Sequence, residues 1–158
     1  ANGGTQVDAN TIYKTDGDST YYAHWEEATV FSVVVPAVLP VTVDQNGKVY
    51  VSNAEIVNHS TAAVQVSSVT LTAENGWTLV PYASDMSHAK VDSNQIGFKI
   101  NSAQTSKTGS TEQFELTSPW QIAEEESLTL TYDAVVSALS QPVTNANILS
   151  VLFVVEWA

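Results

Sequence analysis

The chain has 158 residues, among them five lysines, no arginine and 17 acidic residues, for a formal charge of −12. Such a chain repels phosphate backbones and has no guanidinium fork for phosphate or guanine, which sets nucleic acid and anionic membrane surfaces aside as partners. It contains no cysteine, which removes disulfides and thiolate metal sites, and no run approaches the ~20 apolar residues of a membrane span.

A chain of this length folds as a single domain that buries about 70 % of its unfolded surface. Ser and Thr supply 34 residues and charged residues only 14 %. That is less than the usual proportion of roughly a quarter and suits a secreted, strand-rich protein. No basic stretch followed by an apolar one stands at the start, so the expectation is that any secretion signal has been removed.

Residues 1–28 are read as an N-terminal extension and 29–158 as a β-sandwich domain. The opening "ANGGTQVDAN" has the composition of a loose terminus, and loose termini order only when tied down. From Phe31 onward period-2 alternation dominates and helical periodicity is nearly absent. Phe31, Val33, Val35, Ala37, Leu39, Val41 and Val43 give one unbroken apolar face on a long first strand. "DQNG" then reverses the chain, with Asn46-Gly47 supplying the positive φ of a tight hairpin turn. Val49 and Val51 return on the other side, followed by Ile56.

In the next strand the apolar positions move from even (Val64, Val66) to odd (Val69, Leu71, Ala73) across Ser67-Ser68. That change marks a β-bulge or a strand crossing between sheets. "ENGW" turns the chain into Trp77 and Leu79. Ile96, Phe98 and Ile100, then Phe114 and Leu116, make two shorter strands around the polar loop "NSAQTSKTGSTEQ". Leu128, Leu130, Tyr132, Ala134 and Val136 alternate cleanly. The last strand, "NILSVLFVVEW", is apolar on both faces, which predicts a central position. Only "SDMSHAKVDS" has room for a helical turn. The expected fold is all-β, an antiparallel two-sheet sandwich of jelly-roll or immunoglobulin-like type with about eight strands.

Pro36 and Pro40 interrupt the first strand at the same parity. Both delete ladder donors on one lateral side and leave the other side complete. Two structural readings fit: an edge guarded against uncontrolled pairing, or a corner where the strand switches sheets.

Candidate chemistry is sparse. Asp85, His88 and Asp92 would converge on a divalent metal if their segment were helical, yet such groups at this spacing are commonly just solvated. Asp16 and Asp18 in "TDGDS", and Asp44 and Asn46 in "VDQNGK", have the look of calcium-loop turns. They lack the further carboxylates and the distal glutamate, and Lys48 stands where a ligand belongs. Glu124, Glu125 and Glu126 form a solvated run before a strand. There is no nucleophile elbow. The expectation is therefore no catalytic residue, no metal and no cofactor. Trp77, Phe98, Tyr132, Phe153 and Trp157 are the expected aromatic core. Tyr21, Tyr22 and Trp25 lie in the less regular N-terminal part, where large apolar side chains mark an interface.

The stretch "VVVPAVLPVTVDQNGKVYVSNAEIVNHSTAAVQVSSVTLTAENGWTLV", with the closing "LFVVEW", resembles secreted surface proteins of Gram-positive Firmicutes. The shared features are a "VPxxLPVTVDxxG" entry strand, an I-x-N-x-S turn (Ile56, Asn58, Ser60) and a terminal aromatic strand. Over residues 29–158 the layout is similar to biofilm-fibre proteins of the TasA/camelysin type. The resemblance implies a jelly-roll sandwich at the cell surface that assembles through an exchanged N-terminal strand. No motif matches the metal ligands claimed for some camelysin-like proteases. "STYYAHWEE" is separately similar to the closing strand of internalin-type surface repeats.

Two functions follow as expectations. In the first the protein is a non-catalytic extracellular subunit of a filament or pilus, a sandwich short of one strand. Residues ~5–15 of the next copy complete it, with Val7, Ala9 and Ile12 as the buried contacts. A head-to-tail contact of this kind gives filaments when its rotation does not close. Burying three such side chains contributes roughly 3–5 kcal/mol at ~25 cal/mol per Å², so the main-chain ladder supplies the rest. In the second, a monomeric adhesion or carbohydrate-binding module displays aromatics on a loop face.

Overall fold

The computed structural model describes residues 28–43, 49–143 and 146–158. In chain order the strands are β1 (Val33–Val34), β2 (Val41–Val43), β3 (Val49–Val51), β4 (Ala54–Asn58), β5 (Val64–Ala73) and β6 (Thr78–Leu79). A 3-10 turn at Met86–His88 follows, inside the one stretch with room for it. Then come β7 (Gln95–Ile100), β8 (Ala103–Gln104), β9 (Thr111–Ile122), β10 (Ser127–Leu130), β11 (Tyr132–Val136) and β12 (Leu149–Trp157). The fold is all-β, with antiparallel sheets packed together as a sandwich and one parallel pairing, β6 with β7.

There are more strands than the expected eight or so because three long runs are each cut near the middle. Residues 33–43 and 49–58 run antiparallel. They pair as Val33↔Asn58 and Val34↔Val57 at one end and as Val41↔Val51 to Val43↔Val49 at the other, in registers that differ by one residue. Pro36 and Pro40 lie between the two ladders. The carbonyls of Val30 and Ser32 accept from the N–H groups of Thr61 and His59 (3.2 and 2.8 Å), so even-numbered residues here face the β4 side. Pro36 continues that parity. Pro40 lies one residue beyond the Val41↔Val51 pair, opposite Ser52. There the Tyr132 hydroxyl fills the gap in the ladder, donating to the Pro40 carbonyl (3.0 Å) and accepting from the Ser52 N–H (3.3 Å). The donor that Pro40 lacks is thus missing on the β3 side, not on the outer edge.

The third run, residues 127–136, changes partner at Thr131: β10 pairs with β4, and β11 with β7. Asn101, at φ 45° in the turn between β7 and β8, holds that break. Its Oδ1 accepts from the Thr131 N–H (2.8 Å) and hydroxyl (3.0 Å), and its own N–H donates to the Thr131 carbonyl (2.7 Å). Gly97 in β7 lets residues 80–82 cross close by, since a Cβ there would sit 2.8 Å from the Tyr82 Cα and 2.7 Å from a Val135 methyl.

The facing sheet has the order β12-β5-β9. Ser67 is skipped on both of its ladders: Val66 pairs with Val155 and Trp120, and Ser68 with Val154 and Glu115. This is the bulge that the change of phase at Ser67-Ser68 predicts. Residues 116–119 of β9 also leave the ladder, which accommodates Pro119 without losing a donor. The layers meet at Asn58, whose side chain is fully buried. Its Nδ2 lies 3.0, 3.2 and 2.9 Å from the carbonyls of Ala62, Ile122 and Ala123, and its Oδ1 accepts from the Ser60 N–H (2.8 Å). The Ser60 hydroxyl in turn accepts from the Ser32 N–H (2.9 Å) and donates to the Ser32 carbonyl (3.2 Å).

Two of the five expected core aromatics, Phe98 and Tyr132, are buried, with ring centroids 6.1 Å apart. Trp77 and Phe153 are half-buried at the rim of the core. Trp157 is a correction: it is 39 % exposed at the end of its strand, edge-on to Phe31 at 5.0 Å. Among the described residues Trp120 is the buried tryptophan, with its Nε1 donating to the Ser102 hydroxyl (2.9 Å). The alternation Trp120-Gln121-Ile122 carried that signal, but Pro119 obscured it. Trp120→Ala should cost about 3–5 kcal/mol in denaturant unfolding, and Trp157→Ala less than half of that. Equal losses would contradict this placement.

Candidate functional site

Among the described residues, β12 pairs with β5 alone. The Glu74 N–H donates to the Ile148 carbonyl (3.0 Å) and the Ala158 N–H to the Ala63 carbonyl (3.1 Å). Even-numbered residues of β12 therefore face β5 on both sides of the bulge, and the N–H and C=O groups of Leu149, Val151, Phe153, Val155 and Trp157 point along the opposite, open edge. The side chains of Leu149, Val151, Phe153 and Val155 pack against the core yet remain half-buried. On the outer face Leu152 is 63 % and Val154 42 % exposed.

Among the described residues, the strand expected to be central is an edge of its sheet. Alternation reports which way side chains face, not how many neighbours a strand has. Edge strands are normally blunted by charges, prolines or bulges. β9, the other edge of the sheet, has such devices: exposed Gln113 and Glu115 and the excursion at 116–119 with Pro119. β12 carries only Glu156, which already accepts from Gln65 (3.2 Å).

In the facing layer the run 33–43 pairs, among the described residues, with 49–58 alone. Phe31 meets Trp157, and Ser32 is bound to Ser60, so residues 31–34 start where β12 ends. Val33, Leu39, Val41 and Val49 pack partly against the core, whereas Val43 and Val51 are 36 and 45 % exposed. The unbroken apolar face expected over 31–43 is also corrected, because Phe31, Val35, Ala37 and Val43 are exposed and the run bends at Ala37. Along both β12 and residues 33–43, apolar side chains thus remain half-buried or exposed among the described residues.

Side chains with chemical potential are engaged elsewhere. Asp85 caps the 3-10 turn by accepting from the Ser87 N–H (2.9 Å). Asp92 accepts from the Ser140 N–H (2.8 Å) and hydroxyl (2.6 Å). Neither joins His88, and among the described residues no three His, Asp or Glu side chains come together. Glu112, buried in β9, anchors the loop before it by accepting from the Ser106 N–H (2.9 Å), the Ser106 hydroxyl (2.6 Å) and the Lys107 N–H (3.3 Å). Glu125 of the acidic run lies 3.6 Å from His59 at the surface. A shallow depression of about 180 Å³ is lined by Tyr82, Lys99, Thr131, Tyr132 and Asp133. There the Tyr82 hydroxyl donates to Asp133 (2.6 Å), and that bond, before desolvation and the adjacent charge, raises the phenol's pKa.

Val7, Ala9, Ile12, Tyr21, Tyr22 and Trp25 lie outside the described residues, as do Asp16, Asp18, Asp44 and Asn46. Among the described residues no helix is long and apolar enough to cross a membrane. No family model, no curated protein and no solved structure matches this chain.

The hydrogen bonds from the Ser140 hydroxyl and N–H hold the Asp92 carboxyl below its ordinary value of 3.8. A depressed carboxyl pKa stabilises the folded state above the unfolded value, and that contribution disappears as pH falls through the folded one. Ser140→Ala should therefore move the Asp92 midpoint up toward 3.8 in an NMR titration. An unmoved midpoint would show that the hydroxyl bond is not what lowers it.

Proposed function

We propose that the protein is a non-catalytic, extracellular structural subunit. In this reading the β12 edge takes up a strand from another copy, building a cell-surface filament or pilus. The observation that carries the reading is β12 itself, a nine-residue strand with the apolar pattern of a central strand that has, among the described residues, a ladder on one side alone. An added strand would satisfy its outward main-chain groups and cover the half-buried side chains of Val151, Phe153 and Val155. Main-chain bonds give such augmentation its strength and alternate side chains its register.

The donor in this reading is the N-terminal extension of the next copy, offering Val7, Ala9 and Ile12, with Tyr21, Tyr22 and Trp25 as a second contact. Ala28 lies three residues along the chain from the Phe31–Trp157 contact at the end of β12. One surface of each copy meets a different surface of the next, which is the head-to-tail geometry of open polymers. The charge of −12 keeps unassembled chains soluble and apart. A monomeric adhesion or carbohydrate-binding module is the second reading, favoured by the Tyr82–Asp133 depression.

Electron microscopy of the full-length protein should show filaments. Val151→Pro removes an outward N–H without touching the β5 ladder, so it should leave a folded protein by circular dichroism that no longer elongates. Ile12→Asp should do the same from the donor side. Filaments of wild-type form from Val151→Pro would refute strand addition at β12, and single particles from the wild type at high concentration would favour the second reading.

A further inference from the structure

We infer that Asn58 accepts an N-linked glycan only while the chain is unfolded, and that glycan transfer and folding exclude one another. Asn58-His59-Ser60 is an N-x-S acceptor sequence, and it is the only N-x-S or N-x-T sequence in the 158 residues. The middle residue is not proline, so nothing in the sequence itself prevents transfer. Such a sequence ordinarily marks a surface loop of a secreted protein, because the attached sugar is bulky and hydrated. The fold places this one in the opposite environment. Asn58 and Ser60 are both 0 % exposed, at the corner where the two layers meet.

The atom that would carry the sugar is Nδ2, which faces the carbonyls of Ala62, Ile122 and Ala123 at 3.0, 3.2 and 2.9 Å. Transfer joins Nδ2 to the anomeric carbon of an oligosaccharide and breaks that carbon's bond to a lipid pyrophosphate, which leaves. Nδ2 gives up one of its two protons. A single N–H would then remain for three carbonyls, and a sugar ring would have to stand among them. Carbonyls left without a donor inside the fold are costly, so the end of β9 and the crossing from β4 to β5 would be forced apart. The Ser60 hydroxyl, which completes the acceptor sequence, is equally withdrawn. It accepts from the Ser32 N–H (2.9 Å) and donates to the Ser32 carbonyl (3.2 Å). In the unfolded chain both side chains are free to meet a transferase. A glycosylated chain therefore cannot close its corner, and a closed chain cannot be glycosylated. The protein reaches its folded form by a route on which folding comes first or no lipid-linked oligosaccharide is met. That conclusion stands whether or not the copies polymerise.

The test has two arms. In the first, a synthetic peptide of residues 53–63, too short to fold, and the folded full-length chain are each given a eukaryotic oligosaccharyltransferase with its lipid-linked donor. Mass spectrometry should find the oligosaccharide on the peptide and none on the folded chain. In the second, eukaryotic cells secrete the full-length chain behind a signal sequence. Glycosylated chains should stay inside the cells in a protease-sensitive form, and secreted chains should carry an unmodified Asn58. Glu55→Thr is the control, because it writes a second acceptor sequence at the exposed Asn53. A glycan at that surface position should leave the cell with the folded protein. A peptide that takes no sugar would overturn Asn58 as an acceptor. A secreted chain with the glycan on Asn58 and an unchanged melting temperature would overturn the exclusion.

Discussion

Asn58 fixes the corner from which the rest of the molecule extends. A fully buried carboxamide must find partners for its donors and acceptor, because each one left unmet costs about 1–3 kcal/mol. Here those partners are the carbonyls that end β9, a carbonyl of the crossing from β4 to β5, and the Ser60 N–H. Ser60 then binds Ser32, and Ala63 binds Ala158. One side chain thus sets where the two layers join, where the run 33–43 begins and where β12 ends. Both strands are positioned by the same few bonds.

From that corner the layers grow to unequal widths. The layer holding 33–43, 49–58, 127–136 and β7 has more strands than the three-stranded layer that ends in β12. Val33 and Val41 are only half-buried, and among the described residues the outer edge of β12 has no ladder partner. An added strand would gain about 0.5–1.5 kcal/mol net for each main-chain bond, plus the burial of a few apolar groups. Association costs at least about 4 kcal/mol in lost rigid-body freedom. A short, weakly apolar strand therefore binds firmly only if most of its ladder forms. That favours a long, regular acceptor edge, and β12 is the longest strand of the molecule after β9 and β5.

Much of this was legible in the sequence where local chemistry decides the outcome. Alternation located the strands, the change of phase at Ser67-Ser68 located the bulge, and Phe98 and Tyr132 proved to be core. What escaped was set by tertiary neighbours. "NILSVLFVVEW" reads as central because two apolar faces look the same whether or not a second neighbour is present. Trp157 followed it into the expected core and emerged at the rim. The breaks at Ser52 and Thr131 carry no proline or glycine to announce them. They exist because Tyr132 and Asn101 take the bonds that continuous ladders would have made. No signal in the 33–43 run distinguished a corner from a guarded edge.

The most direct test of strand acceptance is residue-resolved amide exchange along β12, compared between dilute and assembled protein. The Val151, Phe153 and Val155 amides should exchange readily in the dilute protein and become strongly protected on assembly. The Leu152 and Val154 amides, bonded to β5, should be protected in both. If the odd-numbered amides exchange as fast in the assembled protein as in the dilute one, β12 accepts no strand and the subunit contacts lie elsewhere.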